Sequence, residues 1–124
     1  MIVISETEDR TTTTPGGVMT ALAGPSQGST ELSTWRVRMA PDGHGPVHTI
    51  DREQVWMLLT GSVSITVDGT ARTVSSGQAA VLPAGVVRQI TVDEGPVEAL
   101  VCMPIGGQAF VPGNDEPRQL PWAQ

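Results

Sequence analysis

Pro46 to Arg88 reads P-V-H-T-I-D-R-E-Q-V-W-M-L-L-T-G-S-V-S-I-T-V-D-G-T-A-R-T-V-S-S-G-Q-A-A-V-L-P-A-G-V-V-R. Apolar and polar residues alternate through Ser62-Val63-Ser64-Ile65-Thr66-Val67, the period of a strand with one buried face. Asp68-Gly69 follows at once, and this dipeptide favours the two-residue turn that matches strand twist. Thr70 to Val74 is the returning strand. On the N-terminal side, Gln54 to Thr60 is an apolar strand that Gly61 is expected to close with a turn. On the C-terminal side, Ala79 to Leu82 is a short buried strand between Gly77 and Pro83-Ala84-Gly85. His48, Gln54 and Arg88 recur at places where a closed sheet would point them inward.

Strands continue in both directions. Thr34 to Met39 alternates strictly, with Trp35, Val37 and Met39 on one face and Arg36 and Arg38 on the other, facing solvent. Gly17 to Ala23 is the first strand of the body. Ahead of it, residues 1–16 carry Ile2, Val3, Ile4 and a β-branched run, Thr11 to Thr14. This segment is expected to add to a sheet edge, its own or a partner's, as the arm of a homodimer. Beyond Arg88, Val97 to Met103 is a long strand and Ala109-Phe110-Val111 a short edge strand. Residues 113–124 form a Pro-rich tail in which Trp122 is expected to anchor on the body. No segment holds a period of 3.6. Many short strands between tight turns predict an all-β sandwich or barrel over residues 17–112.

Composition narrows the partners. The chain has 124 residues, enough for one domain with a real core, and 14 Gly and 10 Pro supply the turns. A net charge of −6, with 7 basic residues scattered singly, leaves no basic stripe for nucleic acid or an anionic membrane. No run of 18 apolar residues predicts a membrane span. The opening residues lack a signal peptide's charged and apolar regions, and the lone Cys102 fits a reducing cytoplasm. A small-molecule ligand and a second copy of the chain are the partners expected.

The central stretch resembles the two motifs of a small single-domain cupin, a double-stranded β-helix or jelly-roll barrel. The first cupin motif is G-x5-H-x-H-x3-4-E-x6-G, and here His48-Thr49-Ile50, three residues, Gln54, six residues and Gly61 keep its spacing. The second is G-x5-P-x-G-x2-H-x3-N, and Gly77, five residues, Pro83-Ala84-Gly85, two residues and Arg88 keep that spacing. In metal-binding cupins, two histidines, a glutamate and a third histidine hold the ion. In this sequence His48 stands at the first of those places. Ile50, Gln54 and Arg88 stand at the others, and Asp42 replaces the opening glycine. The resemblance therefore implies a cupin barrel with an altered metal site. No cofactor is expected, with a divalent ion held by His44, His48 and Gln54 as the alternative.

Two functions follow from these residues. In the first, an enzyme of the cyclase or isomerase kind found among small cupins, His48 moves a proton and Arg88 holds an anionic or enolate oxygen. In the second, a non-catalytic module holds a small ligand. In both, Trp35, Ile50, Gln54, Trp56, Leu58 and Arg88 line the pocket, with the tryptophans as stacking surfaces. An inward carboxylate beside His48 favours the enzyme; a histidine with only amide and guanidinium neighbours favours binding or a simple proton shuttle.

Overall fold

The computed structural model describes residues 1–124. Ten strands make up the fold: β1 Thr11–Thr14, β2 Gly17–Ala21, β3 Leu32–Met39, β4 Thr49–Ile50, β5 Gln54–Val67, β6 Thr70–Ser75, β7 Ala79–Leu82, β8 Arg88–Pro104, β9 Gln108–Phe110 and β10 Arg118–Gln119. Helix is confined to three 3-10 turns of three residues each. A seven-stranded sheet runs β1-β2-β3-β8-β5-β6, with β7 also paired to β5. A three-stranded sheet runs β10-β9-β4. Gly43 to His48 lies antiparallel to Arg88–Val92, through Val92 N–H to Gly43 O, Gly45 N–H to Ile90 O and a reciprocal His48–Arg88 pair. The result is the expected jelly-roll barrel.

Alternation decides what is inside. Along β3, Ser33, Trp35, Val37 and Met39 are buried, while Thr34, Arg36 and Arg38 are half-buried on the outer face. Val63, Val97, Ala99 and Val101 are wholly excluded from solvent. Each buried Val contributes about 1.5–3 kcal/mol relative to an exposed one. The Asp68-Gly69 turn is as read, with φ of 49° and 83°, both in the left-handed region that this turn needs.

Three expectations are corrected. Gly61 does not close a turn: Gln54 to Val67 is one continuous strand, bent at an irregularity between Leu58 and Val63. The strand expected at Val97–Met103 likewise begins earlier, as part of one strand, β8, from Arg88 to Pro104. Arg36 and Arg38 do face outward, but they are not free in solvent. Glu6 lies 3.2 Å from each, and Glu98 lies 3.1 Å from Arg38 and 3.6 Å from Arg36. Arg38 sits opposite Glu98 in the β3–β8 register, and Glu6 arrives with the N-terminal segment. That segment pairs with its own chain, Thr11–Thr14 against Gly17–Thr20. The outer edge of β1 pairs with no other strand.

Candidate functional site

Inside the barrel lies a cavity of about 510 Å³. The inward faces of β3 and β5 supply Trp35, Val37, Met39, Gln54 and Trp56, and Ile50 and Ile90 complete the apolar wall. His44, Pro46 and His48 border it from the segment between β3 and β4. The C-terminal tail borders it too, through Arg118, Gln119, Leu120 and Trp122. The chain has three tryptophans, and all three are in this one wall.

The polar groups in the wall have defined roles. His48 Nδ1 lies 2.8 Å from the Pro46 carbonyl oxygen. A carbonyl only accepts, so Nδ1 carries the hydrogen and Nε2 keeps its lone pair. Burial pulls the imidazole's pKa below its ordinary 6.5, and the nearby Arg88 charge pushes the same way. His48 is therefore neutral at pH 7, with Nε2 available as acceptor or base. Gln54 is buried, and its Oε1 accepts from Arg88 Nη1 at 3.2 Å. Because guanidinium only donates, this contact fixes the amide orientation. Gln54 Nε2 is left with the Met103 thioether at 3.6 Å, a weak acceptor, and keeps donor capacity. Trp56 Nε1 is a buried donor with no partner.

Arg88 is 1% exposed and does not border the cavity. Its Nη2 donates to Pro83 O at 2.6 Å and its Nε to Val86 O at 3.2 Å, in addition to the Gln54 bond. No carboxylate reaches it, so neutral oxygens replace the solvent it lost. Burial lowers its pKa, yet a guanidinium stays charged. Arg88 was expected in the cavity wall; it lies outside that wall, hydrogen-bonded to Gln54. Leu58 lies outside it as well. It shares a face with Gln54 and Trp56, but four residues along a strand carry it about 13 Å past Gln54, into the closed core. Trp35, Ile50, Gln54, Trp56, His44 and His48 all border the cavity as read. Trp122 packs against the core as the expected anchor of the tail, whereas Arg118, Gln119 and Leu120 were missed because nothing in their local pattern ties them to the barrel. Pairing of β10 with β9 brings them there.

Residues 35–103, more than half of the chain, match the family model described as cupin domain. The chain belongs to the cupin family. This cupin superposes on KdgF from Halomonas sp. with a TM-score of 0.67 at 17% identity, covering 81% of this chain and 84% of that one. An RmlC-like cupin from Shewanella frigidimarina gives 0.66 at 19% identity, covering 82% and 92%. Oxalate decarboxylase from Bacillus subtilis gives 0.72 at 18% identity, covering 82% of this chain but 29% of that one. At such identities the likeness is one of fold. No curated protein sequence matches this cupin.

Mn(II) centers are named for that oxalate decarboxylase, and the residues here can be tested against such an ion. His44, His48 and Gln54 do border one cavity. His48 Nε2 has its lone pair free, but Gln54 Oε1, the amide's one ligating atom, is held by a guanidinium. No three His, Cys, Asp or Glu side chains converge. A donor set of two imidazoles beside a fixed cation does not fit a resident divalent ion.

Proposed function

We propose that the barrel cavity binds a small, flat, aromatic molecule, stacked on tryptophan and hydrogen-bonded to His48 Nε2 and the Gln54 amide N–H. The observation that carries this reading is the convergence of Trp35, Trp56 and Trp122 on one cavity of ligand size. The tryptophans also make the test direct. Titration with 2-naphthoate or its neutral analogue naphthalene-2-carboxamide is expected to quench intrinsic fluorescence saturably. Trp56→Leu is expected to weaken binding roughly threefold to tenfold, the worth of one aromatic contact. A linear, unsaturable response to both probes would overturn the reading.

A second reading rests on His48. Its fixed tautomer and lowered pKa make it a base at neutral pH, and no Asp or Glu stands in the cavity wall. One-base proton transfer is the chemistry that fits: the imidazole takes a proton from carbon beside a carbonyl and returns it to the same face. With 2-tetralone in D2O, the protein is expected to catalyse deuterium exchange at the acidic carbon. The neutral imidazole is the active form, so exchange should be level at pH 7 and fall through an apparent pKa below 6.5. His48→Gln should abolish it. Exchange that survives His48→Gln, or that rises toward acid, would rule out His48 as the base.

A further inference from the structure

The charge around the cavity is unlike the charge of the whole chain. Asp and Glu number 13, and none of them borders the cavity. Arg118 is the one fixed cation that does. Of the chain's arginines, Arg10, Arg36, Arg38, Arg52 and Arg88 each have a hydrogen bond or ion pair. Arg118 and Arg72 have neither, and Arg72 lies on β6, away from the cavity. Arg118 is also held in place. It pairs across β10 and β9 with Ala109, another cavity residue. Behind it the tail is fixed by buried Leu120 and Ala123, and by Ser33 Oγ, which donates to Ala123 O at 2.6 Å. Trp122, four residues on, stands in the same wall.

We infer that Arg118 anchors an anionic group of the cavity ligand, so that the ligand is an aromatic carboxylate or a similar organic anion and the C-terminal tail is part of its site. The inference rests on the small-molecule reading above and adds the charge of the ligand to it. It moves the anion contact from Arg88, whose donors are engaged by Gln54, Pro83 and Val86, to a guanidinium whose donors are free. A planar guanidinium at the rim can take a carboxylate through two parallel bonds while the ring lies among the tryptophans. The apolar depth of the cavity would otherwise give no reason to prefer a charged ring over a neutral one.

The test compares 2-naphthoate with naphthalene-2-carboxamide, which share a ring and nearly a shape but differ in charge. The full chain is expected to bind the naphthoate roughly fivefold more tightly at low salt, with the preference shrinking as salt screens the exposed rim. Arg118→Gln is expected to remove the preference, by weakening naphthoate binding more than carboxamide binding. Arg118→Lys should restore part of it. Equal binding of the two probes by the unmodified chain, or a preference that survives Arg118→Gln, overturns the inference and leaves the pocket reading standing. Failure of both probes to bind overturns the pocket reading, and this inference with it.

Discussion

Arg88→Ala is expected to lower the unfolding free energy by about 2–4 kcal/mol, read from urea or guanidinium denaturation. Two effects oppose each other at this position. Burying a guanidinium without a carboxylate is costly, by several kcal/mol per ion, and truncation relieves that cost. Truncation also strands three acceptors, Gln54 Oε1, Pro83 O and Val86 O, at about 1–3 kcal/mol for each one that water cannot reach. It further removes the packed stem of a side chain that is 1% exposed. Loss wins, because the three bonds and the stem go together while the desolvation relief is a single term. Arg88→Met keeps the stem and sheds the charge, so it should cost less than Arg88→Ala. Arg88→Lys should not rescue, since one ammonium on a flexible stem cannot reproduce the planar fork that spans these three acceptors. Stability of Arg88→Ala within about 0.5 kcal/mol of the unmodified chain would mean that the guanidinium is not held as described.

The contrast between Arg88 and Arg118 shows which parts of the site could be read from sequence. Period-2 alternation is a local property, so the inward faces of β3 and β5 were legible, as was the turn at Asp68-Gly69. Motif spacing placed His48, Gln54 and Arg88 near one another, and their hydrogen bonds and packing bear that out. Spacing is silent about which oxygens a side chain chooses. Arg88 turned to Pro83 O and Val86 O because those carbonyls lie in its own loop, and no carboxylate competes for it. Arg118 carried no signal at all. Its place at the cavity depends on β10 meeting β9 and on Ser33 holding Ala123, a contact across ninety residues of chain. Glu6 and Glu98 escaped in the same way: the outward arginines were evident, but their partners required the register of β3 on β8 and the path of the N-terminal segment. The continuous β5 was hidden by Gly61, which looks the same in sequence whether it turns a chain or bends a strand.

Gly61→Ala is expected to cost about 2–4 kcal/mol and to damage the site as well as the fold. Gly61 has φ of 74°, a conformation that costs an L-residue about 1–2 kcal/mol. A Cβ there would also overlap two backbone oxygens of β8, Glu94 O and Pro96 O, and meet Val97 Cγ2 at 3.0 Å. Backbone of a central strand gives way less readily than a side chain end, so strain of about 1–3 kcal/mol is added. Gly77→Ala is the control. Its φ of 84° is equally unfavourable, but nothing lies within 4 Å of the new Cβ, so only the conformational cost of about 1–2 kcal/mol applies. The effect on the site follows from the β5–β8 ladder. Val55 pairs with Cys102 at one end and Val67 with Arg88 at the other. Straight strands would hold Gln54 and Val67 about 43 Å apart, yet the side chains of Gln54 and Arg88 touch at 3.2 Å. Only a sharp bend can fold the ladder back on itself, and its irregular register falls between Leu58 and Val63, at Gly61. Opening that bend should separate Arg88 from Gln54, free the amide to rotate and weaken 2-naphthoate binding in the protein that remains folded. Equal destabilisation by Gly61→Ala and Gly77→Ala, with probe affinity unchanged in both, would show that the bend yields without strain and that Gln54 is oriented by something other than Arg88.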